Sequence, residues 1–133
     1  MYTFQTAIRM QHTDVAGVVF FARVFDLAHL AYEDMLDAIG HPLPSDMGRA
    51  PLILPLIHAE TDYRGALRLG DRVRIEVEVR EVRSRAFSLA YSFKKEDGSE
   101  AATTLTVHAA VDAATGHATA LPEDLADALR ALM

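Results

Sequence analysis

Between Ala22 and Ile39 the apolar residues Val24, Phe25, Ala28, Ala31, Tyr32, Met35, Leu36 and Ile39 recur at steps of three and four. That spacing lines one side of a helix, and Gly40 and Pro42 then stop it. Only a narrow polar edge remains opposite (Arg23, Asp26, Glu33, Asp34, Asp37), so the pattern predicts a long helix largely buried by something wrapped around it. Downstream the period changes to two. Val73, Ile75, Val77 and Val79 alternate with Arg74, Glu76, Glu78 and Arg80, the signature of a half-buried strand. The alternation slips at Glu81-Val82, which predicts a bulge or strong bend. Phe87, Leu89, Tyr91 and Phe93 form the next strand, Asp97-Gly98 a hairpin turn, and Thr103 to Val111 the last long strand. Residues 3–11 read as an opening strand, and Leu52–Tyr63 as an apolar run broken by Pro55. Pro122–Met133 reads as a short closing helix with Leu125, Leu129 and Leu132 on one side.

The predicted order is β-α-β-β-β-β. Consecutive strands joined by short turns pair antiparallel, and a single segregated helix makes the class α+β. A sheet curled around one apolar helix satisfies both periods, and its exposed edges favour oligomerisation. The 133 residues suit a single domain, 1–133, with no linker or repeat to divide it. Half the residues are hydrophobic and 24% charged, the balance of a globular domain. The absence of cysteine excludes disulfides and thiolate chemistry. A net charge of −6 argues against nucleic acid as a partner, because phosphate contacts need a basic face. No apolar run has the length of a membrane span and MYTFQTAIRM lacks a signal-peptide core, so the expected location is cytoplasmic.

The segment that carries chemistry is His12-Thr13-Asp14-Val15-Ala16-Gly17-Val18-Val19-Phe20-Phe21, running into the helix. Asp14 precedes an unusually apolar loop, which predicts a carboxylate set among hydrophobic groups with little water. Residues 17–22 offer no Ser, Thr, Asp or Asn to cap the helix. Its first N–H groups therefore lack an evident partner and carry the positive end of the helix dipole. Free backbone donors beside a lone carboxylate suit attack on a carbonyl, the helix start holding the developing oxyanion. An aspartate here can equally be a turn former, and water can cap a helix.

D-x-A-G-V-V-F-F leading into a helix, followed by Asp62-Tyr63 and Gly70-Asp71, resembles the hotdog-fold acyl-CoA thioesterases of the 4-hydroxybenzoyl-CoA thioesterase type. Thr13-Asp14, Ala16 to Phe21, His29, Ala31-Tyr32-Glu33 and Leu54 to Ala59 are similar to the 1,4-dihydroxy-2-naphthoyl-CoA thioesterase subgroup. The likeness covers about residues 2–112. It implies a hotdog fold, hydrolysis of an acyl-CoA thioester to free acid and CoA, no cofactor or metal, and a homodimer or dimer-of-dimers tetramer with pockets between subunits. It implies Asp14 as nucleophile or as base for a water, the Phe21 N–H as oxyanion donor, Gly17 and Val18 as the close-folding loop against substrate, and Arg83 and Arg85 as the cations meeting the CoA phosphates. Arg80, Arg83 and Arg85 also form the densest basic cluster along the chain, which suits a polyanion bound by an acidic protein.

The sequence departs from the family's pattern at Phe21, where many members carry His, at Arg23 in place of Asn, and at Ala66 in place of Pro. An aromatic residue at Phe21 leans toward an aryl substrate. A short-chain aliphatic acyl-CoA thioesterase and a non-catalytic acyl-CoA binding module are the alternative readings. His58 is a candidate to face the pocket and hydrogen-bond an aryl hydroxyl, or else a strand histidine satisfied by its neighbours. His29 is a candidate substrate contact, or else a packed helix histidine. No His, Asp and Glu spacing suits a metal.

Overall fold

Alternation sets the faces of the sheet and the helical stripe decides which face is covered. The computed structural model describes residues 1–133. In chain order the elements are β1 (Tyr2–Ala7), α1 (Arg23–Ala38), β2 (Leu52–Ile53), β3 (Leu56–Tyr63), β4 (Arg72–Val82), β5 (Ala86–Lys95), β6 (Glu100–Ala109), β7 (Val111–Asp112) and α2 (Glu123–Arg130). Two 3-10 turns lie at Met10–His12 and Met47–Arg49. Five strands pair antiparallel in the order β1-β4-β5-β6-β3, while β2 and β7 make a separate two-stranded ribbon. This is the expected α+β hotdog: a curled antiparallel sheet holding one long helix.

Val73, Ile75, Val77 and Val79 of β4 and Phe87, Leu89, Tyr91 and Phe93 of β5 are all buried, against Leu27, Ala28, Ala31, Met35 and Leu36 of α1. The register of β4 against β5 shifts between Val79 and Glu81, where the alternation slips in the sequence. Leu125 and Leu129 of α2 complete the same core.

Three expectations need correction. The opening strand ends at Ala7, because residues 10–12 turn in a 3-10 helix in which His12 Nδ1 accepts the Arg9 N–H at 2.9 Å. Pro55, which has no N–H for a ladder, separates β2 from β3, and the last long strand likewise ends at Ala109 with β7 leaving to pair β2. The long helix is not wrapped on all sides: His29 and Leu30 are exposed. The flank of α1 beside β3 is open, since β3 is an edge strand whose residues are almost all exposed.

Candidate active site

The chain reaches α1 through a tight hairpin. Asp14 N–H donates to the Val18 carbonyl at 2.9 Å, Gly17 N–H to the Asp14 carbonyl at 3.0 Å, and Thr13 faces Val19 in an antiparallel bridge. Gly17 closes the turn at φ +78°, a left-handed backbone that a residue with a Cβ adopts only with strain. Val19 N–H donates to the Leu67 carbonyl at 2.8 Å and Leu69 N–H to the Gly17 carbonyl at 3.1 Å, tying the hairpin to the segment before β4. Its base is the His12 carbonyl, which accepts the Phe20 N–H at 2.9 Å. The His12 ring is buried, which pushes its pKa down. With Nδ1 an acceptor, the neutral ring carries its proton on Nε2.

Asp14 Oδ1 accepts the Ala16 N–H at 2.9 Å, so the aspartate does form an Asx turn. The carboxylate makes no other hydrogen bond and no ion pair, and on a single chain it is exposed. The expectation of a carboxylate shut away from water is therefore not met by one copy. The core is filled by the helix and sheet, so Val15, Phe20 and Phe21 find nothing on their own chain to pack against and are exposed as well. The Phe20 and Phe21 rings lie tilted against each other instead, centroids 4.6 Å apart and planes 46° from parallel.

The start of α1 is uncapped by any side chain, as the sequence predicts. Neither the Phe21 N–H nor the Ala22 N–H meets an acceptor in the protein. The carbonyls of the same two peptides are held: the Phe20 carbonyl accepts the Arg23 N–H at 2.8 Å, and the Phe21 carbonyl accepts the Tyr63 hydroxyl at 2.6 Å. Planar peptides fixed at their oxygens leave two N–H groups fixed in direction, at the positive end of a sixteen-residue helix. The Tyr63 contact has no local signal in the sequence, because 42 positions separate the partners.

Register divides the remaining candidates between the two ends and faces of the sheet. Tyr63 pairs with Ala102 and Phe93 with Ala102, while Leu56 pairs with His108 and Phe87 with His108. Asp14, Gly17, Val18 and Phe21 belong to the Tyr63 end. Arg83 and Arg85 flank the β4–β5 turn at the Leu56 end, about 20 Å away by strand rise. One copy does not bring them together. Nor do Arg80, Arg83 and Arg85 form a free positive patch, since Arg80 pairs with Glu78 at 3.5 Å and Arg83 with Glu81 at 2.9 Å.

His58 stands in register with Val107, on the sheet face turned away from α1, 3.8 Å from Glu60. It is not brought to the hairpin. His29 lies on the open flank of α1, half exposed, with Nδ1 3.4 Å from Glu33 and its ring edge-on to Tyr32 at 5.4 Å. Behind it Tyr32 stacks on His108 at 4.3 Å and His108 on Phe87 at 5.0 Å. His108 Nε2 lies 3.0 Å from the Thr106 hydroxyl, itself 2.9 Å from that of Tyr91. Burial drives the His108 pKa down to about 4.

No helix is long and apolar enough to cross a membrane. The profile of the thioesterase-like superfamily matches residues 8–129. The chain is 37% identical over 130 residues, 97% of its own length and 95% of the relative's, to a 1,4-dihydroxy-2-naphthoyl-CoA hydrolase of Synechococcus elongatus. It is 33% identical over 127 residues, 94% and 92% of the two lengths, to the enzyme of the same name from Rippkaea orientalis. The crystal structure of a 1,4-dihydroxy-2-naphthoyl-CoA thioesterase from Synechocystis superposes with a TM-score of 0.92 at 25% identity, covering 98% of this chain and 96% of that one. Helix, curled sheet and uncapped helix start thus sit in a chain that belongs to the thioesterase-like superfamily and is a hotdog-fold thioester hydrolase.

Proposed function

We propose that the protein hydrolyses an aromatic acyl-CoA, 1,4-dihydroxy-2-naphthoyl-CoA, to the free acid and CoA. The observation that carries this reading is the pair of oriented, unpartnered N–H groups at Phe21 and Ala22, at the head of the helix that follows the Asp14 hairpin. A thioester carbonyl oxygen placed on the Phe21 N–H gains charge as its carbon is attacked, and donors already in position stabilise that charge without reorganising. Asp14 supplies the attack in one of two ways. As nucleophile its oxygen bonds to the acyl carbon and expels the CoA thiolate, leaving a mixed anhydride that water opens. As base it takes a proton from the water whose oxygen attacks directly.

The pocket is completed by a second copy of the chain. β3 bonds only to β6, so its outer edge has free backbone groups, and the open groove between α1 and β3 exposes Phe21 at 62% and Tyr63 at 51%. Two β3 edges paired antiparallel about a two-fold axis set the Leu56 end of one copy beside the Tyr63 end of the other. That pairing brings the Arg83–Arg85 turn of one copy to the Asp14 end of the other, where it meets the CoA phosphates. It also encloses the Asp14 hairpin and supplies the apolar surroundings that one copy lacks. Names borne by relatives support the aryl substrate, as do the aromatic side chains of Phe20, Phe21 and Tyr63 around the helix start.

Asp14→Asn tests the reading: the amide keeps the shape of the turn and removes the charge. Free-thiol release from 1,4-dihydroxy-2-naphthoyl-CoA falls by about two to four orders of magnitude, with circular dichroism unchanged. Turnover retained in a folded variant overturns the assignment of Asp14. A panel of benzoyl, naphthoyl and short fatty acyl thioesters separates aryl from alkyl preference.

A further inference from the structure

The cations of this acidic chain are not where linear clustering places them. Five of the 13 Lys and Arg residues form no ion pair: Arg9, Arg68, Arg72, Arg85 and Lys95. Three of these five, Arg9, Arg72 and Lys95, line a single open cleft of about 480 Å³ at the ends of β1, β4 and β5. Arg74 and Lys94 line it too, against one carboxylate, Glu96. The cleft opens on the sheet face away from α1, and none of its lining residues belongs to the Asp14 hairpin.

Register shows that this concentration of charge has an energetic cost. Arg74 and Lys94 stand directly opposite each other across β4 and β5, an arrangement of like charges that destabilises a sheet. Each is partly relieved by turning to a carboxylate, Arg74 to Glu76 at 3.1 Å and Lys94 to Glu100 at 3.3 Å. Arg72, which opens β4 opposite Ala7 of β1, forms no ion pair, nor does Arg9 or Lys95. In a chain of net charge −6, five cations around one cleft are a local inversion of the field. Gln5 and Thr6 add neutral hydrogen-bonding groups to the wall. Guanidinium forks beside ammonium groups match the oxygens of a phosphate.

We propose that this cleft binds a phosphate-bearing anion, at a site separate from the thioester centre. The inference is independent of the substrate assignment, since its test reads binding and not turnover. The probes are inorganic pyrophosphate, followed by amide NMR shifts, and phosphatidylcholine vesicles with and without phosphatidylglycerol, followed by co-sedimentation. Pyrophosphate is expected to shift residues 5–9, 72–74 and 94–95 together, with binding weakened by added salt. Arg72→Glu/Lys95→Glu weakens it by roughly tenfold or more, and the charge-neutral Arg72→Gln/Lys95→Gln pair does so to a smaller degree, guarding against a misfolded reversal. Sedimentation with phosphatidylglycerol vesicles that the reversal abolishes assigns the phosphate to a lipid headgroup. Its absence, with pyrophosphate binding retained, assigns it to a soluble ligand. Shifts scattered over the surface, or affinity unchanged by both double variants, overturn the proposal.

Discussion

The Tyr63 hydroxyl, at the end of an edge strand, donates to the Phe21 carbonyl at 2.6 Å and so holds the peptide whose N–H begins the long helix. Tyr63→Phe removes this contact and little else. Thiol release is expected to fall about tenfold through kcat with KM nearly unchanged, because the tyrosine orients the Ala22 N–H, the second of the two donors beside the proposed oxyanion position. The melting temperature records a loss of about 1 kcal/mol or less, the worth of one partly exposed hydrogen bond. A proportional rise in KM contradicts this positioning role.

Gly17 carries the hairpin through φ +78°, and a Cβ added there meets nothing within 4 Å. Backbone conformation, not space, is therefore the constraint. Gly17→Ala is expected to cost about 1–2 kcal/mol, read by urea denaturation, and to lower turnover by disordering Asp14 relative to the helix start. An unchanged midpoint together with unchanged turnover rejects the strained-turn account.

His108 is folded in its neutral form. Burial is the main cause, the charge of His29 adds to it, and the Leu54 carbonyl opposes it without reaching hydrogen-bond geometry; the ring Nδ1 has no partner. The folded pKa of about 4 lies below the unfolded value of 6.5, so the unfolded chain takes up the extra proton between them. Stability is full above pH 6.5 and declines as the pH drops toward 4, by up to about 3 kcal/mol. Denaturation midpoints for His108→Leu, compared with the parent chain from pH 7 to pH 4, check this: the substituted chain loses less stability across that window.

Leu56 and Ile57 are exposed apolar residues on the unpaired edge of β3. Leu56→Asp/Ile57→Asp sets charges on the proposed strand-to-strand seam. Light scattering should find a folded single chain where the parent gives an even-numbered assembly, and thiol release should vanish with it, since in the proposed dimer each pocket draws on two copies. A fully active single chain refutes the shared pocket.

Much of the architecture was legible because it rests on short-range pattern. The three- and four-residue steps of Val24 to Ile39, the alternation of Val73 to Val79 and the slip at Glu81 each survive into α1, β4 and its bulge. The uncapped helix start could also be read, because a missing capping side chain is a local fact. What escaped was everything set by register. Arg83 and Arg85 were tied to the CoA phosphates by resemblance alone, and only sheet pairing reveals that their turn lies at the end of the sheet opposite the Asp14 hairpin. Linear spacing likewise marked Arg80, Arg83 and Arg85 as the positive patch, whereas nearby glutamates offset two of them. His58 follows an apolar run, and only the pairing with Val107 reveals which face it takes. The surroundings of Asp14 were hidden for a further reason: in the proposed dimer a second copy supplies them.

A main-chain donor has a consequence for how such an enzyme changes over time. Every residue except proline offers the same N–H, so under the proposed mechanism the ring at position 21 can be exchanged for a smaller or larger group while the polarising contact stays in place. Selection for a new acyl group can then act on the side chain alone. On that proposal, catalytic competence and substrate taste are inherited at one position through different atoms.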